Sequence, residues 1–581
     1  MEKHLVRAWL LQHPRVECDG KPLNIRLKKA QALLFYLLVQ KKATREEAAG
    51  LLWGGEEDSL AHRHLRDNLY QLKKAAPVEL LRSLMLLRDG VTDDVELRLQ
   101  SAYAHDYIGE AYRKQGAIAG LVVGGVFVLF ALSTGFNIAG IGGELLSGIL
   151  SGIVLVVVSL ATQPKEIARA LMLIQLMSIG KGYSAVSLEM LEQVRTYLNA
   201  DLYPYAPCEG TIGGLSFQPY IAITYMGEGR LIDNGEGRLI DNGKVRPTAE
   251  VLAEKGIAPL KVKAREGLAL LSNASHSLGV GLLALYDFVM TMRHADLTAA
   301  LVCEALRSTD KAYDPRLIAL KNHKETTETA QFLRDILSGS AIMDESRSLR
   351  VQDSMNTRII PHVHGIAKRM AGQTYDALME ELYSVFDNPI FLPDGTALMG
   401  SNWDATAIEL YCDSLAIAVM DVAKLTEVHM ERLVDPHLSG LPAFLVKNPG
   451  LNNGFMIPQY VTAGLLGDIA LLCAPAAAFN AAVSAGQESP VYRDDTAARQ
   501  LYQAVQKLRS LVSMTMLTAL QAIDLSDHKA MSPVTQKVHD HARQTVTFME
   551  NDDLMYQRIE AMEHLVESNQ LLADCPLPFT I

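Results

Sequence analysis

The stretch Glu431-Arg-Leu-Val-Asp-Pro-His-Leu-Ser-Gly-Leu-Pro-Ala-Phe-Leu445, continued by Gly450-Leu-Asn-Asn-Gly-Phe-Met-Ile-Pro-Gln-Tyr460, decides how the chain is read. It lies between residues 406–431 and 495–525, where apolar residues recur at helical spacing over many turns. Helices of that length bury an apolar stripe only against one another. The expected body is therefore mainly α, a bundle of long helices.

Further blocks lie on either side in a fixed order. Upstream are Arg169-Ala-Leu-Met-Leu-Ile174, Gly182-Tyr-Ser184 and Glu266-Gly-Leu-Ala-Leu-Leu271. Then come Val351-Gln-Asp-Ser-Met-Asn-Thr-Arg358, Pro361-His-Val-His-Gly365, Phe386-Asp-Asn-Pro389 and Pro393-Asp-Gly395, with Ser484-Ala-Gly-Gln-Glu488 closing the set. From Lys165 onward this collinear series resembles the aromatic amino-acid ammonia-lyases of the histidine ammonia-lyase type. The resemblance implies a helical-bundle fold, a homotetramer whose active sites are shared between subunits, and loss of ammonia from an aromatic amino acid. It also implies a methylidene-imidazolone electrophile, made when an Ala-Ser-Gly backbone cyclises and the central serine loses its hydroxyl.

At that triad the chain departs from the family. The aligned run is Gly210-Thr-Ile-Gly-Gly-Leu-Ser-Phe-Gln-Pro-Tyr220, so the triad position reads Gly214-Leu215-Ser216. Leu215 has no hydroxyl to eliminate. Centring on Ser216 instead puts the bulky Phe217 where the ring-closing nitrogen must be unhindered. No imidazolone, and no other cofactor or metal, is expected. The family's asparagine after Leu-Leu falls on Ser272, with Asn273 one step on, and the tyrosine after Gln-Asp falls on Met355. The catalytic tyrosine falls near Phe130, if Ser133-Thr-Gly-Phe136 is a remnant of its loop, and phenylalanine cannot serve as a base. By resemblance, the substrate-binding candidates are Asn273, Gln352, Arg358, Asn388, Gln487 and Glu488. Arg358 would clamp a carboxylate bidentately, and Glu488 would titrate in a pocket.

Groups that bind are thus kept while groups that react are lost. The leading expectation is a ligand-binding regulator that takes an aromatic amino acid or a related small carboxylate. The alternative is an active lyase that needs no imidazolone because its substrate carries a good leaving group, as in an ergothioneine-like betaine that releases trimethylamine. A third reading, a structural remnant or fusion of fragments, stays open because the early lyase segment is missing.

The regulator reading draws on residues 1–100. Lys28-Lys-Ala-Gln-Ala-Leu-Leu-Phe-Tyr-Leu37, Arg45-Glu-Glu-Ala-Ala-Gly-Leu-Leu-Trp53 and His64-Leu-Arg-Asp-Asn-Leu-Tyr-Gln-Leu-Lys-Lys74 resemble the winged-helix DNA-binding head of bacterial antibiotic-regulator and OmpR-type activators. The resemblance puts the third helix in the major groove of duplex DNA, with Arg63, Arg66, Asn68, Gln71, Lys73 and Lys74 toward bases or phosphates. Overall the chain is acidic, with a net charge of -12. That argues against a protein devoted wholly to nucleic acid, though not against one basic domain.

Between head and body, 101–164 forms an apolar linker. Residues 116–143 carry no ionisable side chain, and 145–164 are again uncharged. Each stretch is long enough to cross a bilayer. Arg113 and Lys114 on one side and Lys165 and Arg169 on the other would place both ends in the cytoplasm. The expectation is a cytoplasmic protein anchored at the inner membrane by a transmembrane hairpin, the competing reading being a buried core hairpin. The body is then 165–581. Six cysteines without a C-x-x-C pair suit a reducing compartment. The octapeptide Gly227-Glu-Gly-Arg-Leu-Ile-Asp-Asn234 is repeated at once over 235–242 and is read as a duplicated surface hairpin or loop.

Overall fold

A computed structural model describes residues 6–9, 15–18, 21–22, 164–206, 212, 218–233, 244–526 and 530–575. The DNA-binding candidates Arg63, Arg66, Asn68, Gln71, Lys73 and Lys74, the expected hairpin over 116–163, Phe130 and the triad position Gly214-Leu215-Ser216 lie outside the described residues. The chain divides into two compact units, 1–160 and 161–581.

The first unit contributes an antiparallel sheet ordered β1 (Val6–Trp9), β2 (Arg15–Cys18) and β3 (Lys21–Pro22). Cys18 pairs with Lys21 across the two residues Asp19-Gly20, a sequence favoured in tight hairpins.

The second unit is the expected helical bundle. Its longer helices are α1 (Lys165–Ile179), α2 (Leu188–Asn199), α3 (Gln218–Tyr225), α4 (Thr248–Lys255), α5 (Ser275–Ala305), α6 (Lys324–Ile336), α7 (Ile360–Leu382), α8 (Thr406–Val434), α9 (Met456–Leu472), α10 (Asp494–Asp524), α11 (Pro533–Thr545) and α12 (Met555–Glu567). A small antiparallel sheet joins β4 (Leu202–Pro204), β5 (Arg230–Asp233) and β6 (Lys244–Pro247). A two-stranded hairpin pairs β7 (Ile390–Phe391) with β8 (Ala397–Leu398). The first copy of the duplicated octapeptide supplies β5, and the second copy falls in the connection between β5 and β6.

Cross-helix contacts fix the directions. His276 of α5 bonds Asp495 of α10 near both starts, and Asp287 accepts from Gln506 Nε2 at 2.6 Å further along both, so the two run parallel. The backbone N–H of Arg493, just before α10, donates to Glu409 of α8 at 2.7 Å, which puts the start of α8 at the same end. Helices α7 and α9 run the other way. His364 of α7 meets Asp296 at 2.8 Å while Leu378 lies over Gly281, and Cys473 after α9 reaches Ala416 O at 2.9 Å while Gln459 reaches Glu427 at 2.9 Å.

α5 is buried along most of its length, because its sequence is apolar on nearly every face. Among the described residues, 266–305 is the one helical run long and apolar enough to cross a membrane, and it is the bundle's central element. Close packing also explains a motif glycine. A Cβ on Gly365 would come within 2.6 Å of the Thr326 backbone, so glycine is what lets α7 pass the start of α6.

Candidate active site

Helices α5, α8 and α10 begin at one end of the bundle. Each start carries the partial positive charge of a helix N-terminus, so this end favours anionic groups. Four of the six binding candidates come from segments that lead into it. Asn273 immediately precedes α5; Asn388 sits in the turn between α7 and β7; Gln487 and Glu488 lie in the loop that enters α10.

Asn273 is buried, and its side chain serves the chain locally. Its Oδ1 accepts from Ser275 N at 3.1 Å and from the Ser275 hydroxyl, while its Nδ2 turns back to Leu270 O at 3.3 Å. That arrangement starts α5. The carbonyl of Asn273 accepts from Gln218 Nε2 at 2.9 Å. Gln218 follows the triad position by two residues, so the segment expected to build the electrophile leads directly to the start of α5.

Asn388 Oδ1 accepts from Gly400 N at 2.9 Å and closes the β7–β8 hairpin. The preceding Asp387 is fully buried against Arg265, whose guanidinium also reaches Pro389 O at 3.2 Å. This pair ties the segment before α5 to the turn that carries Asn388. In the α10 entry loop, Asn480 Oδ1 accepts from Val491 N at 3.2 Å. Gln487 is exposed on that loop and Glu488 is half-buried.

Gln352 and Arg358 sit elsewhere. Arg358 Nε donates to Asp353 O at 2.9 Å, beside the short helix Met355–Arg358. The carbonyl of Asn356 in that helix meets His429 Nε2 at 3.1 Å. His429 is twenty residues beyond Glu409 on α8, which at 1.5 Å per residue is about 30 Å along the axis. The six candidates therefore do not form one pocket within a chain. Met355, at the family's tyrosine position, is exposed at this far end.

Two features behind the helix starts escaped the sequence reading. One is an acid pair, Asp494 and Asp495, in the first turn of α10 and buried to within a few per cent. Asp495 bonds His276, but neither oxygen of Asp494 has a hydrogen-bond partner of normal geometry. Burial first, and then the charge of Asp495, push the Asp494 carboxyl well above the usual carboxylate range, with Ser277 acting in the opposite sense. The consecutive aspartates at the head of an apolar helix were the available signal. The other feature is Trp403, whose ring meets Tyr492 edge-on at 6.3 Å, so that the α8 and α10 entry loops touch. Next to it, Asp404 raises the Tyr492 phenol. Alongside, burial raises the carboxyls of Glu409 and Asp413.

The sequence profile of the family described as "Aromatic amino acid lyase" matches residues 137–544, and the chain belongs to that family. The match begins inside the apolar zone. The chain is 34% identical to histidine ammonia-lyase of Geobacillus kaustophilus over 402 residues, 68% of this chain and 78% of that enzyme. Its fold superposes on the crystal structure of histidine ammonia-lyase from Trypanosoma cruzi with a TM-score of 0.65 at 30% identity, covering 71% of this chain and 78% of that one. The ergothioneine-degrading ergothionase of Treponema denticola shares the fold, with a TM-score of 0.65 at 22% identity over 71% of this chain and 82% of its own.

Proposed function

We propose that the chain is a carbon–nitrogen lyase that works without the imidazolone electrophile. Its substrate is a histidine-like amino acid whose nitrogen already leaves readily, such as a trimethylammonium betaine of the ergothioneine kind. The observation that carries this reading is Gly214-Leu215-Ser216 at the triad position, in a chain that keeps the end-of-bundle scaffold and the binding residues. The family's electrophile exists to activate a poor leaving group, ammonia. A quaternary nitrogen needs no such help: a base removes the proton from the carbon next to the ring, the C–N bond breaks, and neutral trimethylamine leaves with the bonding electrons. The residues at 214–217 do not fit the imidazolone, because Leu215 has no hydroxyl to eliminate and Phe217 crowds the ring-closing nitrogen in the other register.

In this reading Arg358 and Gln352 of one subunit meet Asn388, Gln487 and Glu488 of another in a homotetramer. The roughly 30 Å between the two sets in one chain favours that arrangement. Arg358 would hold the substrate carboxylate, and Glu488 would accept the proton. The test is to incubate the purified chain with histidine, phenylalanine, tyrosine and a histidine betaine, following amine release and the conjugated acid by ultraviolet absorbance. Trimethylamine from the betaine with no ammonia from the amino acids supports the reading. Ammonia and urocanate from histidine overturn it.

A second reading, a sensor that binds an aromatic amino acid and regulates through its head, is favoured by the separate first unit with its β1–β2–β3 sheet. Residues Arg63, Arg66, Asn68, Gln71, Lys73 and Lys74 would then bind duplex DNA, with affinity falling steeply as salt rises. No shift of any promoter fragment by the full chain, at low salt, would count against it. The inner-membrane placement of 116–164 has its own test. A spanning hairpin keeps the protein in the pellet after an alkaline carbonate wash, whereas a core hairpin leaves it soluble.

A further inference from the structure

A cavity lies well away from the helix starts. It measures about 270 Å³, opens to the surface, and is lined by one face of α5 (Tyr286, Asp287, Thr291, His294), one face of α10 (Tyr502, Gln506, Arg509), Glu166 of α1, and Glu567 and Asn569 at the end of α12. Asp287 is twelve residues into α5 from Ser275, about 18 Å below the site end.

The lining holds several acceptors that have no partner among the described residues. His294 is fully buried, and its Nδ1 lies 2.9 Å from Met290 O. The Nδ1–H must therefore donate there, leaving Nε2 as a lone-pair acceptor, and Nε2 has no partner. Burial lowers the ring to about 4, so it stays neutral near pH 7. Asn569 Oδ1 and the buried Thr291 hydroxyl are also unpartnered. Asp287 takes one hydrogen bond, from Gln506, and burial raises its carboxyl. Against three carboxylates, Glu166, Asp287 and Glu567, the cavity offers one cation. That cation, Arg509, is engaged by Glu567 at 3.1 Å. Buried unsatisfied acceptors are costly unless a ligand satisfies them, and His294 Nε2 and Asn569 Oδ1 both call for an N–H donor while the carboxylates call for positive charge. Two tyrosine rings suit the same ligand, since an ammonium is attracted to an aromatic face.

We propose that this cavity is a binding site for a small protonated organic amine lacking a carboxylate, held by Asp287, Glu166 and His294 Nε2. A carboxylate-bearing amino acid is disfavoured, because Arg509 is already paired and the remaining charges would repel it. The site is thus chemically distinct from the one that takes the amino-acid substrate.

The test uses the full chain at pH 7.5 with histamine and 1,4-diaminobutane as amine probes and histidine as the carboxylate-bearing control, read by calorimetry. Saturable binding of an amine is expected. Asp287→Asn and Glu166→Gln should each weaken it about tenfold, and Glu166 is exposed enough that its substitution should leave the fold intact, checked by circular dichroism. Amine binding should persist when the betaine or histidine saturates the other site. The proposal is overturned if neither amine binds, if histidine competes for the same heat, or if both variants bind the amines as well as the parent does.

Discussion

Two buried carboxylate clusters in the same bundle have opposite characters. Midway along α5, Asp296 is fully buried, but Lys368 reaches it at 2.5 Å and His364 at 2.8 Å, and the ammonium also donates to the Thr329 hydroxyl at 2.9 Å. Burial works against its charge, yet Lys368 and then His364 outweigh it and hold the carboxyl below its ordinary range. At the helix starts, Asp494 is buried just as deeply beside a second acid, without a compensating cation among the described residues, and its carboxyl is held well above that range. Compensated burial belongs to architecture, joining α5, α6 and α7. Uncompensated burial is maintained against stability, and perturbed groups of that kind gather where chemistry occurs. On the proposed function, the contrast favours the helix-start end as the place where the chemistry occurs.

The largest effect is expected at the compensated cluster. Lys368→Ala leaves Asp296 buried without its main partner and should cost about 3–5 kcal/mol in denaturant unfolding. A loss under about 1 kcal/mol would mean that Asp296 is not held as a charge. Asp494→Asn should act in the opposite direction, raising stability at neutral pH by about 1–2 kcal/mol, because it removes a carboxyl that folding disfavours in its charged form. A destabilisation of similar size would show Asp494 to be an architectural acid after all.

The pH dependence sharpens the same contrast. Asp296 contributes stability that is complete above its unfolded value near 3.8 and is lost as pH falls through its lower folded value. Asp494 does the reverse: its penalty is absent below 3.8 and develops as pH rises toward its higher folded value. The gain from Asp494→Asn should therefore vanish in acid. A gain that is constant across pH would assign it to packing instead. The smallest expected effect is at Asn388→Ala, where loss of the bond to Gly400 N should cost about 0.5–1.5 kcal/mol. Its effect on turnover should be larger than that, if the β7–β8 turn positions substrate.

The helices were legible because their apolar spacing is a local property. The expected run 406–431 became Thr406–Val434, and 495–525 became Asp494–Asp524. The central helix Ser275–Ala305 gave no such signal, since a helix apolar on nearly every face has little periodicity. The candidate site was legible only as motifs. Sequence order shows that Arg358 and Glu488 are both present; it does not show that one chain places them at opposite ends of the long helices. The Asp494–Asp495–His276 cluster and the acceptor-lined cavity were missed for the same reason. Each is assembled by parallel packing of α5 against α10, whose partners lie more than two hundred residues apart in the chain.

The most direct test of the central claim is the intact mass of the purified full chain, measured together with its near-ultraviolet absorbance. Cyclisation and dehydration at 214–216 would remove water and add an absorbing chromophore. With Leu215 at the centre of the triad position, the expected result is the unmodified sequence mass and no added absorbance. A mass lowered by the loss of water, with the chromophore present, would show that the electrophile forms and would contradict it.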